Sequence, residues 1–221
     1  MKSIKRPKSL TELVTETLRE WIVSGDLELG EHLSEIRISK ELEVSRTPVR
    51  EAVNRLEMEG LLSVEPMRGT FVFSLEPSEL AKLCDARVCL ETAALKEAIR
   101  LNPDALHDVL VKCVEDMTRA REQKDDSAYL AADTVFHQCL FDQSDNRFLN
   151  DAYQAIAKKM AALRNRLGRH PDHMAKSYRE HIELTEAVKN RDVERAMEIL
   201  KSHIDRKEGS YWSQATVAEN A

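Results

Sequence analysis

Along most of the chain the apolar positions recur every three or four residues, the period of helices buried on one face. Leu10, Leu13, Val14, Leu18, Trp21 and Ile22 make the first such series. Ser9-Leu10-Thr11-Glu12 opens it with the form of a capping box, and Gly25 closes it. A second helix is predicted from Ser34 through "EIRISKEL" to about Leu42, and a third from Ser45 through "RTPVREAVNRLEME" to Gly60. Pro48 falls in that third helix's first turn, where its missing N–H costs no bond. The period then changes. Two short strands, at about 62–65 and 70–73, flank a turn holding Pro66, Arg68 and Gly69. After Pro77 every segment is helical, at about 78–101, 104–122, 127–142, 147–168, 172–190 and 192–208. Pro103 and Pro171 suit helix first turns, Ser127 suits an N-cap, and a frayed tail is expected at 209–221. The pattern predicts a mainly α protein: an N-terminal winged helix-turn-helix over residues 1–75, then an all-α helical bundle over 76–221.

Composition narrows the class. The 221 residues are 42% hydrophobic and 33% charged, as in a globular protein. No run of 18 apolar residues exists, so no membrane span is expected. The start, "MKSIKRPKSL", is basic without an apolar core and does not read as a secretory signal, so a cytoplasmic protein is expected. Cys84, Cys89, Cys113 and Cys139 contain no Cys-x-x-Cys pair and fall in apolar-periodic helices. They read as buried reduced thiols, not as a disulfide framework or a zinc site. The net charge is −6, and residues 1–75 hold 11 Lys+Arg against 13 Asp+Glu. Any DNA contact must therefore come from local placement of basic residues.

That placement is found in the third helix. Only about three residues separate it from the second, the layout of a helix-turn-helix. Val49, Ala52, Val53 and Leu56 share one face; Arg46, Thr47, Arg50 and Asn54 share another. Two arginines one turn apart near a helix start can reach phosphates and base edges in a major groove. Taken alone, they would equally suit a solvated face. The turn spacing, the cap and a hairpin with Arg68 at its tip favour DNA binding.

These residues resemble a known family. "HLSEIRISKELEVSRTPVREAVNRLEMEGLLSVEPMRGTFV" (residues 32–72) is similar to the operator-binding domain of GntR-type transcriptional regulators, most specifically in "VSRTPVREA" and in the wing. The resemblance implies DNA contacts from Arg46, Thr47 and Arg50 and from Arg68, Gly69 and Thr70 of the wing. In the second helix many relatives have Glu-Arg-Glu-Leu where this chain has Glu35-Ile36-Arg37-Ile38. The basic residue, Arg37, is shifted by one position and stands as a further DNA candidate.

In the C-terminal helices, several polar residues fall inside apolar arcs. Asp133 and His137 lie one turn apart among Tyr129, Leu130, Ala132, Phe136, Cys139 and Leu140. His181 shares its side with Met174, Tyr178, Leu184 and Val188, and His203 with Val193, Ala196, Met197, Leu200 and Ile204. A lone inward histidine is ordinarily a hydrogen-bonded core residue. Three on separate helices, with an aspartate, form a mixed O/N set suited to Zn²⁺, Ni²⁺, Mn²⁺ or Fe²⁺. On an octahedral ion they leave two positions that a carboxylate can fill. His32, His107, His170 and His173 do not join the set, the last two flanking Pro171 in an expected loop. Arg87 has two readings: a clamp for an organic-acid carboxylate, or an ion pair with Glu91 one turn later. Asn146 and Arg164 are further effector candidates, though a surface position is the plainer reading of each.

"CDARVCLETAALKEAI", the Asp-x-x-x-His element, "EHIELTEAV" and His203 resemble the FCD effector domain of the FadR subgroup. The metal-binding members of that group use an aspartate, a histidine four later and two further histidines, a pattern that Asp133, His137, His181 and His203 match. The resemblance also favours the effector role for Arg87. The expected function is a ligand-responsive transcriptional regulator, a repressor. It would bind double-stranded operator DNA as a homodimer through the winged domain, and a divalent transition metal and a small organic acid through the helical one. Two alternatives remain: a metal-sensing regulator, and a metal-dependent hydrolase or lyase. The last is disfavoured, since no inward general base or nucleophile motif appears beyond the ligands and the DNA-binding half would have no purpose. The chain reads as a regulator, not an enzyme.

Overall fold

A computed structural model of the chain describes residues 7–168 and 170–204. The expected end of the last helix at 205–208, the tail at 209–221 and the first six residues lie outside the described residues. The chain divides into two compact units between Ser74 and Leu75.

The first unit is built from α1 (Leu10–Ser24), β1 (His32–Leu33), α2 (Glu35–Glu41), α3 (Arg46–Met58), β2 (Leu62–Glu65) and β3 (Gly69–Val72). Ser9 and Glu12 form the capping box of α1, and Gly25 ends it in the left-handed conformation at φ 102°. Leu18, Ile22, Ile38, Val49, Ala52 and Leu56 are wholly buried and make the core of this unit. The sheet has the order β1-β3-β2 with antiparallel neighbours. The short β1 was not foreseen: a two-residue strand has too little alternation to register as one. Gly69 begins β3 at φ 116°, and a Cβ there would lie 2.6 Å from His32 Nε2. The backbone angle favours glycine at this hairpin position, and a Cβ there would also have to push the His32 ring aside.

The second unit is helical throughout its described residues: α4 (Pro77–Leu101), α5 (Pro103–Gln123), α6 (Asp126–Asp142), α7 (Arg147–Leu167), α8 (Pro171–Lys189) and α9 (Val193–Ile204). Asp125, not Ser127, caps α6, its side chain accepting from the Ala128 N–H. The core gathers Leu95, Leu106, Leu110, Met117, Phe136, Leu140, Tyr153, Leu184 and Leu200. Helix α6 packs against α4, α5 and α7, and α9 against α4 and α8. These packings bring the inward faces of α4, α6, α8 and α9 to one place. No helix among the described residues is long and apolar enough to cross a membrane.

The thiols depart from expectation. Cys84 and Cys113 are buried, but Cys89 is exposed and Cys139 half-buried. Helical period alone does not separate the centre of an apolar arc from its margin, where Cys89 lies.

Candidate functional site

Two surfaces carry the candidate chemistry, one in each unit. In the first, Val49, Ala52, Val53 and Leu56 anchor α3 in the core, which leaves Arg46, Thr47, Arg50 and Asn54 exposed along its opposite side. Glu35, in the first turn of α2, has its Oε2 3.7 Å from Arg46 Nη2 and 3.5 Å from Arg50 Nε. One carboxylate therefore gathers both guanidinium groups. Such exposed pairs are worth at most about 1 kcal/mol, so the arginines remain available to a stronger anion. Arg37 pairs with Glu31 at 2.9 Å on the exposed face of α2. Arg68 pairs with Glu65 and lies over the Phe71 ring, 5.5 Å from its centroid. Thr70 behaves differently. It sits in the central strand opposite Leu33 and Val64, and alternation along β3 turns its side chain inward, where it is buried. The wing offers Arg68 and the Gly69 tip; the side chain of Thr70 is not presented.

In the second unit, Asp133 and His137 of α6, His181 of α8 and His203 of α9 offer ligand atoms that all lie within 4.8 Å of one another. Asp133, His137 and His181 are buried and His203 is half-buried. His203 Nε2 is 3.2 Å from His137 Nε2, and His181 Nε2 is 3.5 Å from Asp133 Oδ1. The far nitrogens of the rings are held from behind. His137 Nδ1 is 2.7 Å from Glu91 Oε2, and His203 Nδ1 is 3.0 Å from Glu180 Oε2. A carboxylate only accepts, so each of these rings carries its proton on Nδ1 and turns the Nε2 lone pair inward. A carboxylate behind the imidazole is the usual support of a metal-ligating histidine. His181 Nδ1 has the Ser177 hydroxyl at 3.5 Å.

The donor set fits a divalent metal on two observations. Asp133 Oδ2 and His181 Nε2 are buried without a hydrogen-bond partner among the described residues. Leaving a buried nitrogen such as His181 Nε2 without a partner is costly, and an ion coordinated by it and by Asp133, whose Oδ2 is ion-paired with Arg164, would remove the cost. The Nε2 atoms of His137 and His203 converge on the same place, 3.2 Å apart. Arg87 Nη2, 2.7 Å from His137 Nε2, donates to the His137 lone pair.

The arginines rank differently from their sequence reading. Arg87 is buried and forms the ion pair with Glu91, so its guanidinium is engaged by Glu91 and His137. Arg164 was read as surface, yet it is 4% exposed. Its Nε lies 3.1 Å from Asp133 Oδ2, its Nη1 donates to the Thr134 hydroxyl at 3.2 Å, and its Nη2 has no partner among the described residues. Both arginines line a cavity of about 30 Å³ with Asp133, His203 and His173. Asn146 is not among the lining residues; its side chain caps α7 by accepting from the Phe148 and Leu149 N–H groups. His173 was expected in a loop. Pro171 instead starts α8, which puts His173 in the first turn and at the cavity.

Burial and charge set the protonation of this cluster. Burial works against the Asp133 carboxylate, but Arg164 and then the three imidazoles hold its pKa far below the usual carboxylate range. Burial, then the charges of Arg87 and Arg164, keeps His137 neutral well below the ordinary histidine value. Burial, then His203, takes His181 down to about 3 and His173 to about 4. Neutral imidazoles and an ionised carboxylate are the forms that bind metal.

The same shifts predict an acid-labile unit. An unfolded chain protonates its histidines near pH 6.5. Between that pH and the folded values the unfolded state binds more protons, so stability falls as pH falls. The slope reaches about 1.4 kcal/mol per pH unit for each such histidine, and Asp133 adds a loss in the same direction below about pH 4. Urea unfolding of chelator-treated protein should show a lower midpoint at pH 5 than at pH 7.5; an equal or higher midpoint at pH 5 would contradict the assignment.

Comparison with known proteins bears on both surfaces. Residues 10–72 match the family model described as bacterial regulatory proteins, gntR family, and residues 82–206 match that of the FCD domain. The chain is 29% identical over 219 residues to the gluconate operon transcriptional repressor of Bacillus subtilis (strain 168), a match covering 94% of this chain and 89% of that protein. It is 28% identical over 196 residues to the Nta operon transcriptional regulator of Aminobacter aminovorans, covering 83% and 86%. Among solved structures, E. coli McbR/YncC aligns with a TM-score of 0.79 at 23% identity, over 95% of this chain and all of that one. At that identity the structural match speaks for the fold alone.

Proposed function

Since the chain belongs to the GntR family of bacterial regulatory proteins, a DNA-binding transcriptional regulator with an FCD domain behind its winged helix-turn-helix, we propose that it is a repressor controlled by a metal-anchored carboxylate. The carrying observation is the cluster of Asp133, His137, His181 and His203, with His181 Nε2 buried and without a hydrogen-bond partner among the described residues. These four residues hold a divalent transition metal. When bound, the ion supplies a Lewis-acidic positive centre for one end of a small organic acid. Arg164, with an unpaired Nη2 at the cavity, takes the role first given to Arg87 and clamps the carboxylate. Glu91 and Glu180 orient His137 and His203. In the winged unit Arg46, Thr47 and Arg50 read base edges while Arg37, Arg68 and the Gly69 turn follow the backbone of the duplex. A two-fold pair of chains would read a palindromic operator. Acid binding shifts the population of DNA-competent forms by as much as its affinity differs between them. Support for repression and for an acid comes from the Bacillus subtilis relative, whose name is that of a gluconate operon repressor. The hydrolase or lyase alternative is set aside, because the family matches and the curated relatives are regulators.

One observation favours a second reading. A cavity of about 30 Å³ has room for a water molecule or two, or an ion, and must enlarge to hold a whole organic acid. In that reading the metal itself is the signal. Both readings expect metal: adding Zn²⁺ or Mn²⁺ to chelated protein should raise its unfolding free energy, by about 4 kcal/mol at a thousandfold excess over Kd. His203→Ala should remove most of that gain. They part on release of DNA. On the first reading a carboxylic acid found by thermal-shift screening releases operator from metal-loaded protein, and Arg164→Ala abolishes the response while metal content stays. If chelation alone releases the DNA and no acid does, the metal-sensor reading stands.

A further inference from the structure

The second unit holds a pair of thiols that the proposed function does not use. Cys113 of α5 and Cys139 of α6 place their sulfur atoms 3.9 Å apart. Only Lys124 and Asp125 separate these two helices in sequence, so they pack as a hairpin whose facing positions are fixed by a shared core. Cys113 is buried at 5% exposure, while Cys139 is half-buried. A disulfide needs sulfur atoms about 2.05 Å apart. The remaining gap of roughly 2 Å is within the reach of side-chain rotation about χ1, whose staggered wells move a sulfur by more than that. A half-buried thiol beside a more sheltered one placed to resolve it is the arrangement of a reversible redox site.

We infer that Cys113 and Cys139 form an intramolecular disulfide when the protein meets a peroxide. The half-buried Cys139 attacks first: its sulfur forms an S–O bond, the peroxide O–O bond breaks, and one water leaves with the thiol proton. Cys113 then attacks the sulfenic sulfur of Cys139. The S–S bond forms, the S–O bond breaks and a second water carries away the Cys113 proton. Two thiols lose two electrons and one peroxide becomes two waters. The product fastens α6, two residues beyond His137, to α5. This inference does not depend on the metal or the effector.

The test uses the full chain, reduced and then treated with hydrogen peroxide, alkylated, digested and mapped by mass spectrometry. Cys113 and Cys139 should escape alkylation together and appear in one cross-linked peptide, lighter by two hydrogen atoms, which dithiothreitol dissolves. Exposed Cys89 is the internal control for oxidant dose. In Cys113→Ser the bond cannot close, and dimedone should label Cys139 as a sulfenic acid. Should that variant fail to fold, the wild-type peptide map decides alone. The inference is overturned if both thiols stay alkylatable at the dose that oxidises Cys89, or if each oxidises separately with no cross-link.

Discussion

Glu91→Ala should destabilise the C-terminal unit by about 3–5 kcal/mol, the cost of removing one partner from a buried ion pair. Glu91 has no exposed surface and Arg87 almost none. Burial lowers the pKa of the Arg87 guanidinium, but the charge and hydrogen bond of Glu91, together with Tyr153 and Asp133, hold that pKa above its usual value. Without Glu91 the cation stays buried, and among the described residues its remaining hydrogen-bond partner is the neutral His137 ring. The substitution also takes the acceptor from His137 Nδ1–H, so the ring loses its fixed tautomer and metal affinity should fall by about 10- to 100-fold. Urea unfolding of chelated protein reads the first effect, and competition with a metal-binding dye reads the second. A loss of stability under about 1 kcal/mol would show that the pair is not desolvated as the structure has it. Pairing Glu91→Leu with Arg87→Met should recover much of the stability, since a packed apolar pair replaces a buried ion pair at little cost. It should not recover the metal affinity, because His137 would still lack its acceptor.

The same cluster also marks the limit of the sequence. Asp133, His137, His181 and His203 were legible because each breaks an apolar arc at helical spacing, and a polar group buried in such an arc must have a partner. Their convergence was not a matter of local pattern; it depends on α6, α8 and α9 meeting, which period alone does not give. Glu180 was invisible for the same reason. It precedes His181 by one residue, hence points about 100° away around α8, and reads as surface until His203 of α9 is found 3.0 Å from it. Arg164 carried a signal that went unused. It continues the arc of Tyr153, Met160 and Leu163, all buried, so its inward position was available from the period of α7. Residue type outweighed position there, since arginine is usually exposed. The hairpin and the helix-turn-helix were legible because turn chemistry is local: Gly69 and the short Glu43–Ser45 link constrain the chain whatever surrounds them. Thr70 shows the opposite case, where a family motif gave a contact and strand alternation turned the side chain inward.

Replacing Arg46 and Arg50 together by Ala should remove most specific DNA binding. A side chain reading a base edge is worth about 1–3 kcal/mol, so the pair accounts for a roughly 30-fold or greater loss of affinity. Both side chains are exposed, and the buried face of α3 is formed by Val49, Ala52, Val53 and Leu56. The variant should therefore fold, and an unchanged unfolding midpoint would confirm that the loss belongs to the interface. The DNA for the test is a duplex selected from a random pool by the wild-type protein, and the readout is a gel shift at fixed salt, because phosphate contacts make affinity depend steeply on ionic strength. Glu35 sharpens the experiment. It draws both guanidinium groups to one carboxylate, 3.7 and 3.5 Å away. Glu35→Gln removes that attraction without shortening either arginine, so it should strengthen binding to unselected duplex and narrow the margin by which the selected one is preferred. If the double arginine variant shifts the selected duplex at the wild-type concentration, α3 does not read the operator, and the recognition surface lies elsewhere on the winged unit.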